Sequence, residues 1–191
     1  MPIVEIHLLE GYDADAKRRL GEGLTDAVCF VVPAPPEAIT VMVHEMKAEE
    51  YFRGGQTRSP APPLPDPAEL VRTYLSLMEA RKIAEAEAML GEGFQMIFPG
   101  TAPMTNLQQL IDWAAPRYRF VKKTYEGFDA MQGIEAAVVY ARGTLSGEWP
   151  SGEAFGGIRF IDRFEVAGGK ISKQDVWNDI AEVKSITSEG T

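Results

Sequence analysis

Five prolines fall within the nine residues from Ser59 to Pro67 (SPAPPLPDP), and this stretch divides the chain. A segment of this composition cannot form a helix interior or a central strand, and it favours extended polyproline II geometry. We therefore predict a semi-rigid linker over residues 59–67. It separates an N-terminal domain over residues 1–58 from a C-terminal domain over residues 68–185, and a tail follows over residues 186–191.

The composition of the 191-residue chain narrows the classes of protein that it can be. With 45% hydrophobic and 25% charged residues, the chain can build globular cores. A net charge of −9 argues against nucleic acid as a partner, because a phosphate-binding surface needs clustered Lys and Arg. The sequence carries no membrane span or secretory signal, and its single cysteine, Cys29, favours a reducing compartment. We expect a cytoplasmic protein that does not bind membranes.

The first domain has the pattern strand, helix, strand. Residues 3–9 (IVEIHLL) predict a strand, and Asp13 is a suitable N-cap for a one-faced amphipathic helix that ends before VPAPPEA. Residues 39–46 predict a second strand, and a right-handed crossover makes the two strands parallel. So small a unit cannot bury a core alone, so it must assemble with other copies or dock on the second domain. We favour a homo-oligomer, a dimer or higher.

Pro2 has two interpretations at this point. It can start an edge strand, where a missing amide donor does no harm. If Met1 is removed, it also becomes a terminal secondary amine, and the role is then catalytic.

The segments PIVEIHLLEG, ITVMVHEM and YFRGG, with a single helix between the first two, resemble the 4-oxalocrotonate tautomerase family from Pro2 to about Gly55. The resemblance implies that Pro2 acts as a general base, moving a proton between carbons of an enol or unsaturated keto acid. It also implies assembly into dimers and larger rings. The chemistry is sound, because burial lowers the pKa of a terminal amine and leaves a neutral base near pH 7.

The substrate contacts implied by this resemblance are altered. The family's best-known members use two arginines to hold the substrate carboxylate and polarise its carbonyl, and Tyr12 and Thr40 occupy those positions here. Tyr51 and Arg53 lie where the family places an aromatic pocket wall, so Arg53 can take over the carboxylate. The resemblance therefore implies proton transfer with a changed substrate.

The second domain has helices first and long strands later. Asp66 and Pro67 form a helix start, and Thr105 with Gln108 fits a capping box for a helix through Trp113. FQMIF is a short strand. Three longer alternating strands follow, AAVVYARGTLSG, FGGIRFIDRFEV and KISKQDVWND. This order predicts an α+β fold with helices packed on a curved antiparallel sheet.

IDRFEVAGGKISKQDVWND is similar to the SnoaL-like branch of the nuclear transport factor 2 superfamily, over about residues 67–183. The resemblance implies a cone-shaped α+β barrel with an apolar pocket. Asp162 and Tyr74 match the pair that donates to the oxyanion in ketosteroid isomerase, whereas Phe98 stands where that enzyme has its base. In the alternative interpretation Asp162 pairs with a strand arginine such as Arg142, and Tyr74 is a core residue.

Strand parity adds detail to the pocket. Asp162 shares a face with Phe160 and Phe164, which should point it inward. We predict a pocket walled by Phe98, Trp177 and Tyr74, and Asp179 shares the face of Trp177.

Three functions remain open on the sequence. In the first, the chain is a tautomerase-type isomerase that uses Pro2, and the second domain covers the ligand or drives oligomerisation. In the second, the cone is a cyclase or isomerase for a polyketide- or steroid-like ligand. In the third, the whole chain binds a small molecule without chemistry. None of these needs a cofactor, and His7 and His44 lack the neighbouring ligands that a metal requires.

Overall fold

The computed structural model describes the backbone of residues 1–189 and the side chains of residues 1–184. The chain forms two compact units, one from Met1 to Pro63 and one that begins at Leu64. Each unit has its own sheet structure. No helix among the described residues combines the length and apolarity that crossing a membrane requires.

The N-terminal unit is a β-α-β fold. Its elements are β1 (Ile3–Leu9), α1 (Ala14–Val31) and β2 (Thr40–Met46), followed by the short hairpin β3 (Phe52–Arg53) and β4 (Gln56–Thr57). The strands β1 and β2 are parallel, with Ile3 opposite Thr40. Asp13 starts α1, because its carboxylate accepts a hydrogen bond from the Ala16 amide at 2.8 Å.

This unit has no core of its own. Across residues 1–63, all of which the structure describes, every residue is exposed or only half-buried. Phe30, at the end of α1, is 91% exposed, and Val31 beside it is 79% exposed. The unit by itself therefore leaves hydrophobic residues uncovered. Exposed apolar surface of this kind normally marks an interface.

The C-terminal unit is an α+β fold with helices on one face of a five-stranded sheet. Its helices are α2 (Pro67–Glu79), α3 (Ile83–Glu87), α4 (Leu107–Ala114) and α5 (Ile180–Glu189). Its strands are β5 (Leu90–Ile97), β6 (Phe120–Gln132), β7 (Ala137–Glu148), β8 (Ala154–Ala167) and β9 (Lys170–Asn178). The strand order is β5-β9-β8-β7-β6, and only the β5–β9 pair is parallel.

The core lies between the helices and the inner face of this sheet. Val71, Tyr74 and Leu75 of α2 are buried against Val139 of β7 and Phe164 of β8. Register shifts interrupt all four strand pairs, and such bulges bend a sheet and increase its twist. The predicted α+β fold is therefore confirmed, with an open, curved sheet that forms a cone-like unit.

Several local predictions differ from the structure. The helix α4 begins one residue later than the predicted capping box of Thr105 and Gln108. Asn106 is the N-cap, accepting from the Gln109 amide at 3.0 Å, and the Gln109 side chain accepts from the Thr105 amide at 2.7 Å. The prediction of a side-chain cap at the start of this helix is confirmed, but the capping residue lies one position later than predicted.

Two larger elements were not expected. The strand β6 over Phe120–Gln132 is longer than most others and was absent from the prediction. The predicted tail over residues 186–191 is helical up to Glu189, and its residues 190 and 191 lie outside the described residues.

Candidate functional site

Pro2 lies at the start of the N-terminal unit, directly before β1, and is half-buried. Its carbonyl oxygen accepts a hydrogen bond of 3.1 Å from the Thr40 amide, the first residue of β2. Because β1 and β2 are parallel, their amino ends meet. The structure thus brings Pro2 and Thr40 together, as two neighbours at one end of a small sheet.

The other three residues predicted to contact substrate follow the opposite ends of the strands. Tyr12 comes after β1, beyond Gly11, whose φ of +126° suits glycine at this turn. Tyr51 and Arg53 come after β2, and Arg53 is exposed in the β3–β4 hairpin. Seven-residue strands separate the two ends of the sheet by roughly 20 Å. One copy therefore does not collect Pro2, Tyr12 and Arg53 into one pocket.

His7 and His44 lie opposite each other on β1 and β2, with their rings stacked at 4.8 Å between centroids. The Glu5 carboxylate is 3.8 Å from His44 Nε2. Within the described residues, no cluster of three or more metal-binding side chains is present.

The C-terminal unit contains a cavity of about 450 Å³ between its helices and the inner face of the sheet. Tyr74 and Phe98 line it, as predicted from the sequence. Phe98 follows β5 and packs against Trp113 of α4, with 5.2 Å between the ring centroids. A cavity of this volume is in the range that accepts drug-sized ligands.

A polar network closes the inner end of the cavity. The Lys123 ammonium forms an ion pair with Asp162 Oδ2. Gln174 Nε2 donates to the same oxygen at 3.4 Å, and the Tyr74 hydroxyl donates to Gln174 Oε1 at 3.4 Å. Asp162 is 0% exposed, and its Oδ1 has no hydrogen-bond partner among the described residues. The network therefore links β6, β8, β9 and α2.

The surroundings keep Tyr74 and the neighbouring Tyr125 in the phenol form. Burial, with a smaller effect from the Asp162 charge, raises the pKa of Tyr74 far above its usual value of 10.0. Burial first, and then the Asp162 and Glu79 charges, raise the pKa of Tyr125, which lies on β6 beside the cavity. Both hydroxyls therefore remain hydrogen-bond donors at any physiological pH.

Asp162 has a different environment from the one predicted. It points inward with Phe160 and Phe164, but it accepts hydrogen bonds from both Lys123 and Gln174. A carboxylate paired with an ammonium is an acceptor, so the predicted role as an oxyanion donor has no support in this geometry. The alternative partner is also wrong, because Arg142 pairs with Asp129 at 3.0 Å instead.

Trp177 and Asp179 lie outside the cavity. Trp177 is 54% exposed, and its neighbour across the β8–β9 pair is Ile161, which is also exposed. Asp162 pairs in register with Val176, so residue 176 and not residue 177 shares its inward face. Asp179 forms a surface ion pair with Arg159 at 2.7 Å. The prediction that Trp177 walls the pocket is therefore wrong.

Residues 2–59 match the family model described as tautomerase enzyme. A probable tautomerase of Halalkalibacterium halodurans is 41% identical over 56 residues, which are 29% of this chain and 92% of that protein. A probable tautomerase of Listeria innocua is 42% identical over 59 residues, which are 31% of this chain and 97% of that protein.

The chain belongs to the tautomerase family through its N-terminal unit.

Solved structures similar to the C-terminal unit share its fold. A nuclear transport factor 2-like protein of Burkholderia thailandensis has a TM-score of 0.53 at 15% identity, covering 64% of this chain and 97% of its own. One of unknown function from Burkholderia pseudomallei has a TM-score of 0.52 at 14% identity, covering 60% and 92%. The crystal structure of TerC with polyporic acid has a TM-score of 0.51 at 9% identity, covering 61% and 94%. The tautomerase unit is thus followed by a nuclear transport factor 2-like fold.

The sequence prediction missed Lys123. It lies on β6, a strand that was not predicted, where Val121, Lys123 and Tyr125 alternate toward the cavity. That alternation in VKKTY was the available signal, because a period of two marks one face of a strand.

Proposed function

We propose that the chain is a tautomerase-type isomerase whose base is the nitrogen of Pro2 after removal of Met1. The observation that carries the proposal is the match to the tautomerase family, which begins at residue 2 and holds to residue 59. The position of Pro2 at the open start of β1, half-buried beside Thr40, supports it.

The proposed reaction is a proton transfer within one molecule. The Pro2 nitrogen accepts the proton of an enol hydroxyl, and the ammonium so formed returns a proton to the neighbouring carbon, which leaves the keto form and the free amine. An amine in a partly apolar site is a suitable base, because burial disfavours its charged form. The substrate class is a small enol or keto acid, or a related carbonyl compound.

The substrate contacts require more than one copy. Pro2 and Thr40 lie at one end of the sheet, and Tyr12, Tyr51 and Arg53 follow the other. A second copy whose far end lies against Pro2 would supply an arginine for the substrate carboxylate. The apolar residues of this unit support the same assembly, because the fold of the unit itself does not bury them.

The test is the ketonisation of phenylenolpyruvate, which is monitored through the decrease of the ultraviolet absorbance of the enol. Intact mass spectrometry first checks that Met1 has been removed. We expect activity in the processed chain, and its loss when an uncleaved N-terminal extension converts the Pro2 nitrogen into an amide. Pro2→Ala should be at least about 100-fold slower, which is the usual contribution of a positioned general base.

Pro33→Ala is the matched control, because it removes a proline from the exposed segment after α1 without touching the terminus. Equal rates for the processed chain and the extended chain would overturn the proposal.

Chemistry in the C-terminal unit is the less supported alternative. A cyclase or isomerase there would need a group that donates a hydrogen bond to the oxyanion of the substrate. Asp162 instead accepts hydrogen bonds from Lys123 and Gln174. The Tyr74 hydroxyl already donates to Gln174 Oε1, and Phe98 is not a base.

A further inference from the structure

The cavity of the C-terminal unit is basic in an acidic protein. Its charged lining consists of three cationic side chains and one acidic side chain, namely Arg81, Arg119, Lys123 and Glu79. The chain as a whole has a net charge of −9. Arg119 pairs with Glu148 and Lys123 pairs with Asp162, so an anion here would meet the remaining N–H donors of paired cations together with Arg81.

The walls between these charges are apolar. Six aliphatic or aromatic side chains contribute to this lining, namely Leu75, Met78, Phe98, Leu110, Ile111 and Val121. An occupant that matches this lining has an apolar body and few polar groups.

Lys123 is the charge at the inner end. Its ammonium has three N–H donors, and the one recorded acceptor among the described residues is Asp162. The ammonium also makes a cation–π contact with Phe160, at 4.6 Å from the centre of the ring. The side chain is 21% exposed and lines the cavity. Beyond Asp162 and the Phe160 ring, the ammonium keeps donor capacity that an acceptor on a ligand in the cavity would use.

Asp162 fixes the position of this ammonium. It is fully buried on a central strand, and Gln174 holds the same oxygen that Lys123 contacts. If the lysine turned away, the carboxylate would be left buried without its counter-charge, which is strongly unfavourable. Lys123 is therefore held at one point of the cavity and cannot follow a ligand to the surface.

We propose that the cavity binds an apolar organic monoanion, with its carboxylate, sulfonate or enolate oxygens on Lys123, and that Asp162 is the positioning residue for this contact. Tyr125 and Tyr118 line the same space, and their hydroxyls are further donors to such a group. The inference does not rest on the proposed role of Pro2, so a Pro2→Ala chain should bind the anion unchanged.

Two dyes of nearly the same shape test the proposal on the full chain. Anilinonaphthalene sulfonate carries one anionic group, and phenylnaphthylamine has the same ring system without it. Fluorescence titration should show one saturable site with higher affinity for the sulfonate. Lys123→Met should weaken sulfonate binding by about tenfold or more, the usual effect of losing a charged hydrogen bond, and leave phenylnaphthylamine within about twofold.

Lys122→Met is the matched control, because Lys122 is the preceding residue on β6 and is exposed on the opposite face. It should bind both dyes as the unmodified chain does. If the single variant unfolds because Asp162 is left buried without a counter-charge, the double variant Lys123→Met with Asp162→Asn is used instead. It removes that charge and should show the same selective loss of sulfonate binding. Equal sulfonate affinity in the Lys123 and Lys122 variants, or equal binding of the two dyes by the unmodified chain, would overturn the proposal.

Discussion

Replacing Lys123 with methionine removes an ammonium from beside a carboxylate that solvent does not reach. Asp162 is 0% exposed, and its only other recorded donor among the described residues is the Gln174 amide at 3.4 Å. Breaking a buried ion pair by removing one partner costs about 3–5 kcal/mol, because the remaining charge is uncompensated. Lys123 itself is 21% exposed, so we expect the lower end, about 3 kcal/mol of unfolding free energy.

The assay can isolate the C-terminal unit. All three tryptophans, Trp113, Trp149 and Trp177, belong to it, so tryptophan fluorescence during urea unfolding follows this unit alone. The control is Arg159→Met, which breaks the ion pair with Asp179. The Arg159 side chain is 83% exposed and the Asp179 side chain 39%. An exposed pair contributes about 0–1 kcal/mol, so the two variants should differ by about 2 kcal/mol or more.

The double variant Lys123→Met with Asp162→Leu completes the cycle. It replaces the pair with apolar groups, and buried pairs treated in this way often lose little stability or gain some. We expect it to lie within about 1 kcal/mol of the unmodified chain. If Lys123→Met loses no more stability than Arg159→Met, the carboxylate is solvated in the folded protein and Lys123 and Asp162 do not form a buried pair.

Three further predictions follow from the described residues. Because burial raises the pKa of Tyr74, the folded unit keeps the phenol neutral while the unfolded chain ionises it above its usual value of 10.0. The free energy of unfolding therefore falls as the pH rises past 10, by up to about 1.4 kcal/mol per pH unit for this group. When this free energy is measured by urea unfolding between about pH 9 and 11, it should fall less steeply in Tyr74→Phe. The N-terminal unit buries no residue, so light scattering at micromolar concentration should show a dimer or a larger oligomer, and a monomer would contradict the assembly. Gly143→Ala should destabilise the C-terminal unit by about 3 kcal/mol or more, because a Cβ there would overlap the carbonyl oxygen of Thr124, whereas Gly156→Ala, whose Cβ would meet only Ser146 at 3.9 Å, should cost less than about 1 kcal/mol by thermal unfolding.

Local signals account for what the sequence predicted well. Asp13 caps α1 through a contact with a residue three positions away, and prolines stop the helix at its other end. The parallel pairing of β1 and β2 follows from the handedness of a short crossover. Asp162 points inward because side chains alternate along a strand, and its apolar neighbours at two-residue spacing mark the inner face.

The candidate site was predicted less completely, because its members come from distant parts of the chain. Pro2, Tyr74 and Phe98 were found from resemblance and from the apolar stripe of α2, and the structure places the last two at the cavity. Lys123 was missed, since β6 is a strand chiefly through its pairing with β7, twelve residues of which lie in register with it. Its own sequence mixes lysine, glycine and acidic residues and carries a weak strand signal.

The sequence by itself therefore determined the β-α-β unit, the proline-rich division and the alternation of side chains within each strand, because these depend on neighbours a few residues apart. The tertiary structure decided which alternate face is inside. On β9, the register with β8 places Val176 beside Asp162 and leaves Trp177 exposed, although the pattern in the sequence allows either choice. The partner of Asp162 was decided in the same way, because Lys123 is 39 residues away and only the order β8-β7-β6 brings its strand to the cavity.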